Sequence, residues 1–220
     1  LDWRLPQAHA IYWATRSRAL AEGFDAQAAD RMIFQALADA FRRGSLYIDK
    51  ANNRFLPTPN IDLVPRVDAG YLKTIKAFPA DETLKTAHAN FLREAVVTLF
   101  SYNRMREAQE RFQELADSYP SEETAAGFDA FVFNIVTAQT KDLSEREARA
   151  FVDGALYQSA FWQLLGESDR AQGFAIRAKL IWSRYMESLA SAEHAERVGL
   201  PPLDELQKLA IDKARGDLGM

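Results

Sequence analysis

Few residues in this chain are of types and spacings that could do chemistry. The three histidines, His9, His88 and His194, stand far apart, and none lies in an E-x-x-H, H-x-x-E or H-E-x-x-H spacing. Metal binding on a helix face needs ligands about one turn apart, so metal chemistry has little support and no metal ligand is assigned. His88 stands four residues before Leu92, a spacing that reads more plainly as a histidine at the edge of a core than as a general base. G-x-S-x-G, P-loop and G-x-G-x-x-G patterns are absent, so no catalytic residue and no cofactor is assigned. A Ser-His-Asp set assembled only by folding stays open. The absence of cysteine excludes disulfides, thiolate metal sites and cysteine nucleophiles, but leaves the compartment open. What remains is recognition chemistry. Trp3, Arg4, His9, Tyr12 and Trp13 crowd the first residues, and these types anchor interfaces when partly exposed. The plainer reading is that Trp3 and Trp13 cap the open end of a helical array.

Composition bounds the elements that must position such residues. At 220 residues and 48% hydrophobic, the chain can bury a sizeable core. No apolar run approaches the roughly 20 residues a membrane span requires. The net charge is -4, but residues 1–78 hold 11 Lys and Arg against 8 acids, while residues 79–220 hold 16 against 23. A mildly basic front is far from the dense basic stripe of a nucleic-acid binder, so no nucleic-acid partner is expected. The sequence begins at Leu1 rather than Met, which raises the expectation of an excised domain or of a removed signal or anchor, extracytoplasmic or membrane-tethered.

The most informative stretch is 92–120, LREAVVTLFSYNRMREAQERFQELADSYP. Leu92, Ala95, Val96 and Leu99 form one helical stripe, and Met105, Ala108, Phe112 and Leu115 form a second. A tight turn at Asn103 joins them, and Pro120, lacking an N–H, stops the second helix after Tyr119. Two facing stripes make a helical hairpin, with small Ala108 permitting close approach and Phe112 filling the groove beside it.

This pattern resembles the tetratricopeptide repeat, whose W-x2-L-G-x2-Y, A-x3-F and P positions fall on Leu92, Ala95, Val96, Leu99, Ala108, Phe112 and Pro120. The second half fits best, because Leu92 replaces an aromatic residue and Val96 a glycine. The resemblance implies an imperfect right-handed array of helical hairpins. It also implies a concave groove lined by the first helix of the unit, which places Asn90, Arg93, Val97 and Phe100 against a peptide or partner protein. Asn90 can serve an extended backbone with its amide, and Arg93 can fork onto a carboxylate. The plainer reading keeps Asn90 and Arg93 solvated and buries Phe100 against the next helix.

The rest of the chain is also helical in pattern. Pro6 opens a helix with Ala8, Ile11, Tyr12 and Ala19 that runs to a stop at about Gly23, and Asp25 caps the next, with Ala29, Ile33, Ala36 and Phe41. Residues 44–66 break the pattern with Pro57, Pro59 and Pro65, so a small β-hairpin turning at Asn52-Asn53 or an ordered loop is expected there. Asp68 caps a short helix to about Phe78, and Asp81 caps the helix of the hairpin. An apolar helix follows Pro120 with Phe128, Phe131, Val132, Ile135 and Val136. The capping box Ser144-Glu145-Arg146-Glu147 then begins a helix to about Leu165. Gly166 and Ser168 mark a turn before a helix with Ala171, Ala175, Ala178 and Trp182, and a last helix spans about 203–215. Strict alternation makes 144–165 the second helix of a pair, whereas Gly166 and Ala171 make it a first.

The expected fold is all-α, an irregular array of antiparallel hairpins in one helical domain, with 1–66 set off as an N-terminal hairpin plus loop from the body 67–220. The leading expectation is a non-enzymatic scaffold that binds a peptide or partner protein. Alternatives are an all-helical enzyme or small-ligand binder with a pocket near His88 or His9, and an envelope-assembly factor. The last rests on a resemblance of Tyr119-Pro120 and of chain length to helical-repeat lipoproteins of outer-membrane assembly.

Overall fold

The structure is a computed structural model that describes residues 1–49, 54–138, 144–189 and 199–220. It is all-α, with ten α-helices and one two-stranded sheet among the described residues. None of those helices is long and apolar enough to cross a membrane. The chain divides into two compact units, Leu1–Ala95 and Val96–Met220, each described by itself.

Unit 1 starts with the paired helices α1 (Pro6–Arg18) and α2 (Gly23–Arg43). Pro6 sits in the first turn, where a missing N–H costs nothing. Ala8 and Ala14 of α1 and Ala26, Ala29 and Ala38 of α2 are buried, and such small side chains let helices pack closely. Helix α1 ends at Arg18, earlier than its periodicity suggests. Gly23 opens α2 instead of closing α1, turning the chain with a φ of 53°. Asp25 is not the cap: Glu22 occupies that position, without a side-chain bond to the helix. Arg18 instead reaches Asp30, whose buried carboxylate accepts from its Nε at 2.9 Å with Lys73 Nζ at 3.6 Å.

The expected β-hairpin is present: β1 (Ser45–Asp49) pairs antiparallel with β2 (Arg54–Thr58), Ser45 opposite Thr58 and Ile48 opposite Phe55. Its Asn52-Asn53 turn lies outside the described residues. Asn60 N–H donates to Phe41 O at 2.8 Å, tying the exit of the hairpin to the end of α2. A 3-10 turn, Ile61–Leu63, then feeds α3 (Val64–Ala77), whose Pro65 again sits in the first turn. Helix α3 therefore starts before Asp68, which is buried inside the helix and does not cap it.

Helix α4 (Glu82–Ser101) begins as expected, with Asp81 Oδ1 accepting from Thr83 N–H at 3.1 Å. Unit 1 is centred on an aromatic stack from α2, α3 and the first part of α4. Tyr71 lies 4.3 Å from Phe34, 5.3 Å from His88 and 5.6 Å from Phe91, which meets Phe41 edge-on at 5.7 Å.

The border between the units falls inside α4, and unit 2 continues with α5 (Met105–Ser118). The turn between them is a Schellman motif. Arg104 N–H donates to Leu99 O at 2.9 Å and Asn103 N–H to Phe100 O at 3.0 Å, with Asn103 in the left-handed region at φ 58°. Leu92, Ala95, Val96, Leu99, Ala108, Phe112 and Leu115 are all buried. Met105, at the first position of α5, is 36% exposed, so the buried part of the second stripe starts at Ala108.

After Tyr119 N–H closes α5 on Leu115 O, a four-residue helix, α6 (Glu122–Ala125), is capped reciprocally by Ser121 and Thr124. Then follow α7 (Phe128–Thr137), α8 (Glu145–Leu164), α9 (Ser168–Ser188) and α10 (Leu203–Leu218). The Ser144–Glu147 box caps α8 as read. Helix α9 packs on α8 and α7, and α10 packs on α8. The paired helices are thus α8 and α9, which makes 144–165 a first helix.

The α8–α9 turn repeats the α4–α5 geometry. Glu167 N–H reaches Trp162 O at 2.9 Å and Gly166 N–H reaches Gln163 O at 3.1 Å, with Gly166 at φ 80°. Buried Ala108 and Ala171 follow Asn103 and Gly166 at the same five-residue offset.

Candidate functional site

The groove-lining stripe predicted on α4 is distributed unevenly. Asn90 is exposed and Arg93 half-buried on the unit 1 part of the helix, while Val97 is half-buried and Phe100 only 7% exposed on the unit 2 part. Phe100 nevertheless faces a cavity. It lines a groove of about 510 Å³ with Asp129, Ala130, Val132 and Phe133 of α7 and Ile176 and Leu180 of α9. Six of the seven lining residues are apolar and the seventh is a carboxylate.

Three features position this wall. The Schellman turn ends α4 at Ser101, one residue after Phe100, whose carbonyl accepts one of the two turn bonds, fixing where its ring emerges. Helix α7 is apolar on two sides: Phe131 and Val136 are buried in the unit, while Phe133 on another face remains half-exposed. Helix α9 approaches the α4–α5 turn so closely that a Cβ on Gly173 would lie 2.1 Å from Ser101 O and 2.8 Å from Asn103 N. That contact sets α9, and Ile176 and Leu180 follow Gly173 at about one and two turns. Around it, the tilted rings of Tyr102 and Phe174 meet at 5.8 Å, and the Arg170 guanidinium lies over the Tyr102 and Trp162 rings at 4.9 and 4.8 Å. Burial pushes the Tyr102 hydroxyl up from its ordinary pKa, partly opposed by Arg170.

At the rim, Asp129 lies in the first turn of α7, exposed and without an ion pair among the described residues. A carboxylate is favoured there by the helix dipole. Arg184 covers the Phe133 ring at 5.7 Å. An apolar trough with one carboxylate and one guanidinium at its edge suits an amphipathic segment, whereas bond-making chemistry would need convergent polar groups at its floor. Of these residues the sequence pointed only to Phe100 as a contact. Val132 was legible as apolar periodicity, but the excess of apolar residues on α7, too many for one buried stripe, was the signal for a second face.

A second cleft of about 600 Å³ lies among α8, α9 and α10, where Ser159, Gln163, Gln172, Gln207 and Arg215 meet Leu156 and Ile211. No histidine lines it, so the pocket expected near His88 or His9 is not this one.

The histidines themselves are placed differently from expectation. His88 is not at a boundary but fully buried in unit 1, with Nε2 2.7 Å from Asp68 Oδ1 and Tyr71 stacked on its ring. His9 is exposed, its Nε2 2.7 Å from Trp3 O. His194 lies outside the described residues.

The N-terminal set does come together, but not as a cap. Trp3 meets His9 at 5.1 Å and Tyr12 at 5.6 Å, both edge-on, and Tyr12 meets Trp13 at 5.0 Å. Trp3 and Trp13 remain 58% and 64% exposed, so they close no core. Arg4 is held by Asp2, whose carboxyl the side-chain and backbone bonds of Arg4 lower to about 2.

Comparison of the chain with protein-family models, curated proteins and solved structures finds no match.

Proposed function

We propose that the chain is a non-enzymatic scaffold of tetratricopeptide-like hairpins that binds an amphipathic helical segment of a partner protein in the unit 2 groove. The observation that carries this reading is the groove itself, lined by Phe100, Val132, Phe133, Ile176 and Leu180 with Asp129 at its edge. The repeat-like reading is supported by the matching turns at Asn103 and Gly166 with alanines buried at equal offset. A partner helix places apolar residues at i, i+3 or i+4 and i+7 in such a trough, and a Lys or Arg beside them meets Asp129.

The test is selection from a displayed library of helical peptides. Selected peptides should carry that apolar spacing with a nearby basic residue, and binding should fall on Leu180→Asp. On Asp129→Lys the charge preference should reverse to acidic peptides. Asp129 is exposed, so this variant leaves packing intact. Recovery of no peptide, or binding indifferent to both variants, overturns the assignment.

A further inference from the structure

The cleft among α8, α9 and α10 of unit 2 differs in chemistry from the peptide groove. Its volume of about 600 Å³ falls inside the range of small-ligand pockets. One face of each helix turns toward it: Leu156, Ala160 and Gln163 follow at helical spacing on α8, Ser168, Gln172 and Ala175 on α9, and Gln207, Ile211 and Arg215 on α10. The space exists because residues 160, 171 and 175 are alanines, too short to fill it. Leu156, Ala160 and Ala171 are at most 6% exposed and form an apolar floor. Gln163, Ser168, Gln172, Gln207 and Arg215 line the same cleft but are exposed, so polar groups stand at its mouth.

Two features of that mouth decide the chemistry of a ligand. The first is donor supply. Gln172 Oε1 accepts from Asn103 Nδ2 at 3.2 Å, which leaves its Nε2 to donate, while Ser159 Oγ is spent on Ala171 O at 2.8 Å. The second is charge. Arg215 is the one charged lining residue, and among the described residues it makes no ion pair. No acid lines the cleft. Of the acids nearest in sequence, Asp217 accepts from the Tyr157 hydroxyl at 2.9 Å and Glu167 lies 3.8 Å from Arg170. Asp169 and Asp212 are exposed outside the lining. Asp212 stands three residues before Arg215, and such a pair attracts only weakly in water. A carboxylate taken up by the guanidinium fork makes two parallel charge-assisted bonds, which that weak attraction does not match. One guanidinium balances one negative charge, so a monoanion fits better than a phosphate monoester, which carries nearly two.

We infer that this cleft binds a small amphiphilic carboxylate, its hydrocarbon part on Leu156, Ala160, Ala171 and Ile211 and its head at the mouth with Arg215 and the side-chain amides. The inference is independent of the peptide groove, since no residue lines both.

Amide NMR titration of the full chain tests it, with octanoate, octanol, octylammonium and octyl phosphate as probes. Octanoate should give saturable shifts centred on α8, α9 and α10, and should bind more tightly than the other three. Arg215→Gln should weaken octanoate about tenfold and leave octanol unchanged. Ala175→Phe should fill the space and abolish both. Ile211→Glu, at a position already 37% exposed, keeps the test open if the phenylalanine variant fails to fold, and should repel octanoate alone. Unchanged far-UV circular dichroism shows which variants fold. Absence of saturable shifts overturns the inference, as do shifts centred on α7 or an octanoate preference that survives Arg215→Gln. Tighter binding of octyl phosphate assigns the mouth to a phosphate and also overturns it.

Discussion

Replacing Gly173 by alanine sets two measurable effects against each other. In the interior of an ordinary helix this change stabilises by about 0.5–1 kcal/mol, because glycine loses more backbone freedom on folding. At 173 the new methyl would sit 2.1 Å from Ser101 O and 2.8 Å from Asn103 N. Both neighbours are backbone, so no rotamer change relieves the overlap and α9 must move away from the α4–α5 turn. Overpacking costs about 1–3 kcal/mol when side chains can adjust, so the upper end applies here. The net expectation is a loss of about 2 kcal/mol. With a urea slope of about 2 kcal/mol per M, the unfolding midpoint of unit 2 falls by about 1 M. Gly154→Ala in α8 is the internal control: it is exposed, with nothing within 4 Å of the added methyl, so it should raise stability by about 0.5–1 kcal/mol. A Gly173→Ala protein as stable as the wild type, beside a Gly154→Ala protein that behaves as stated, refutes the close approach.

Further expectations concern polar groups. Arg18→Ala removes the nearer partner of the buried Asp30 carboxylate and leaves, among the described residues, Lys73 at 3.6 Å. Because Arg18 is itself about one-third exposed, the loss should be about 2 kcal/mol by urea denaturation, and no loss refutes the role given to the pair. Asp68→Ala removes the Oδ1 contact made to Nε2 of fully buried His88 and should cost about 2 kcal/mol, whereas an exposed acid such as Glu82 should be replaceable at no measurable cost. Glu147 accepts from Ser144, side chain first and backbone second, which holds its pKa below the usual glutamate value. A depressed folded pKa adds stability above the unfolded value of about 4.3 and loses it as pH falls through the folded one. Carboxyl NMR should therefore place the Glu147 midpoint below that of a model peptide, and a midpoint at or above it refutes the capping bond.

What the sequence revealed is what depends on near neighbours. The turn at Asn103, the Ser144 box, the Asp81 cap and the proline-broken hairpin at 44–66 are each decided within four or five residues. The Gly23 and Asp25 assignments failed because a glycine with positive φ fits a helix entrance as well as an exit. Helix α6 went unread because four residues show no periodicity, although Ser121-x-x-Thr124 was a visible cap. Asp68 looked like a cap because its partner, His88, is 20 residues away on another helix. A border inside the continuous helix α4 carries no proline, glycine or polar linker that would mark it. The groove draws its wall from α4, α7 and α9; the α4 contribution had a spacing to point to it and α7 an excess of apolar residues, whereas nothing local tied α9 to either.

The groove and the Gly173 contact have a common cause. Phe100 lies in the Schellman turn, one residue before α4 ends, and α9 is held against that same turn through Ser101 and Asn103. Ile176 and Leu180 lie on the helix that this contact positions, so the width of the trough between Phe100 and α9 is set by a backbone-to-backbone distance. Side-chain packing alone would let that width vary with every rotamer change, because half-buried Phe133 and Ile176 have room to move. A glycine at 173 thus costs helix propensity but fixes the trough at one width. Displacing α9 by a single methyl should therefore weaken peptide capture as well as stability, even though residue 173 itself does not line the groove.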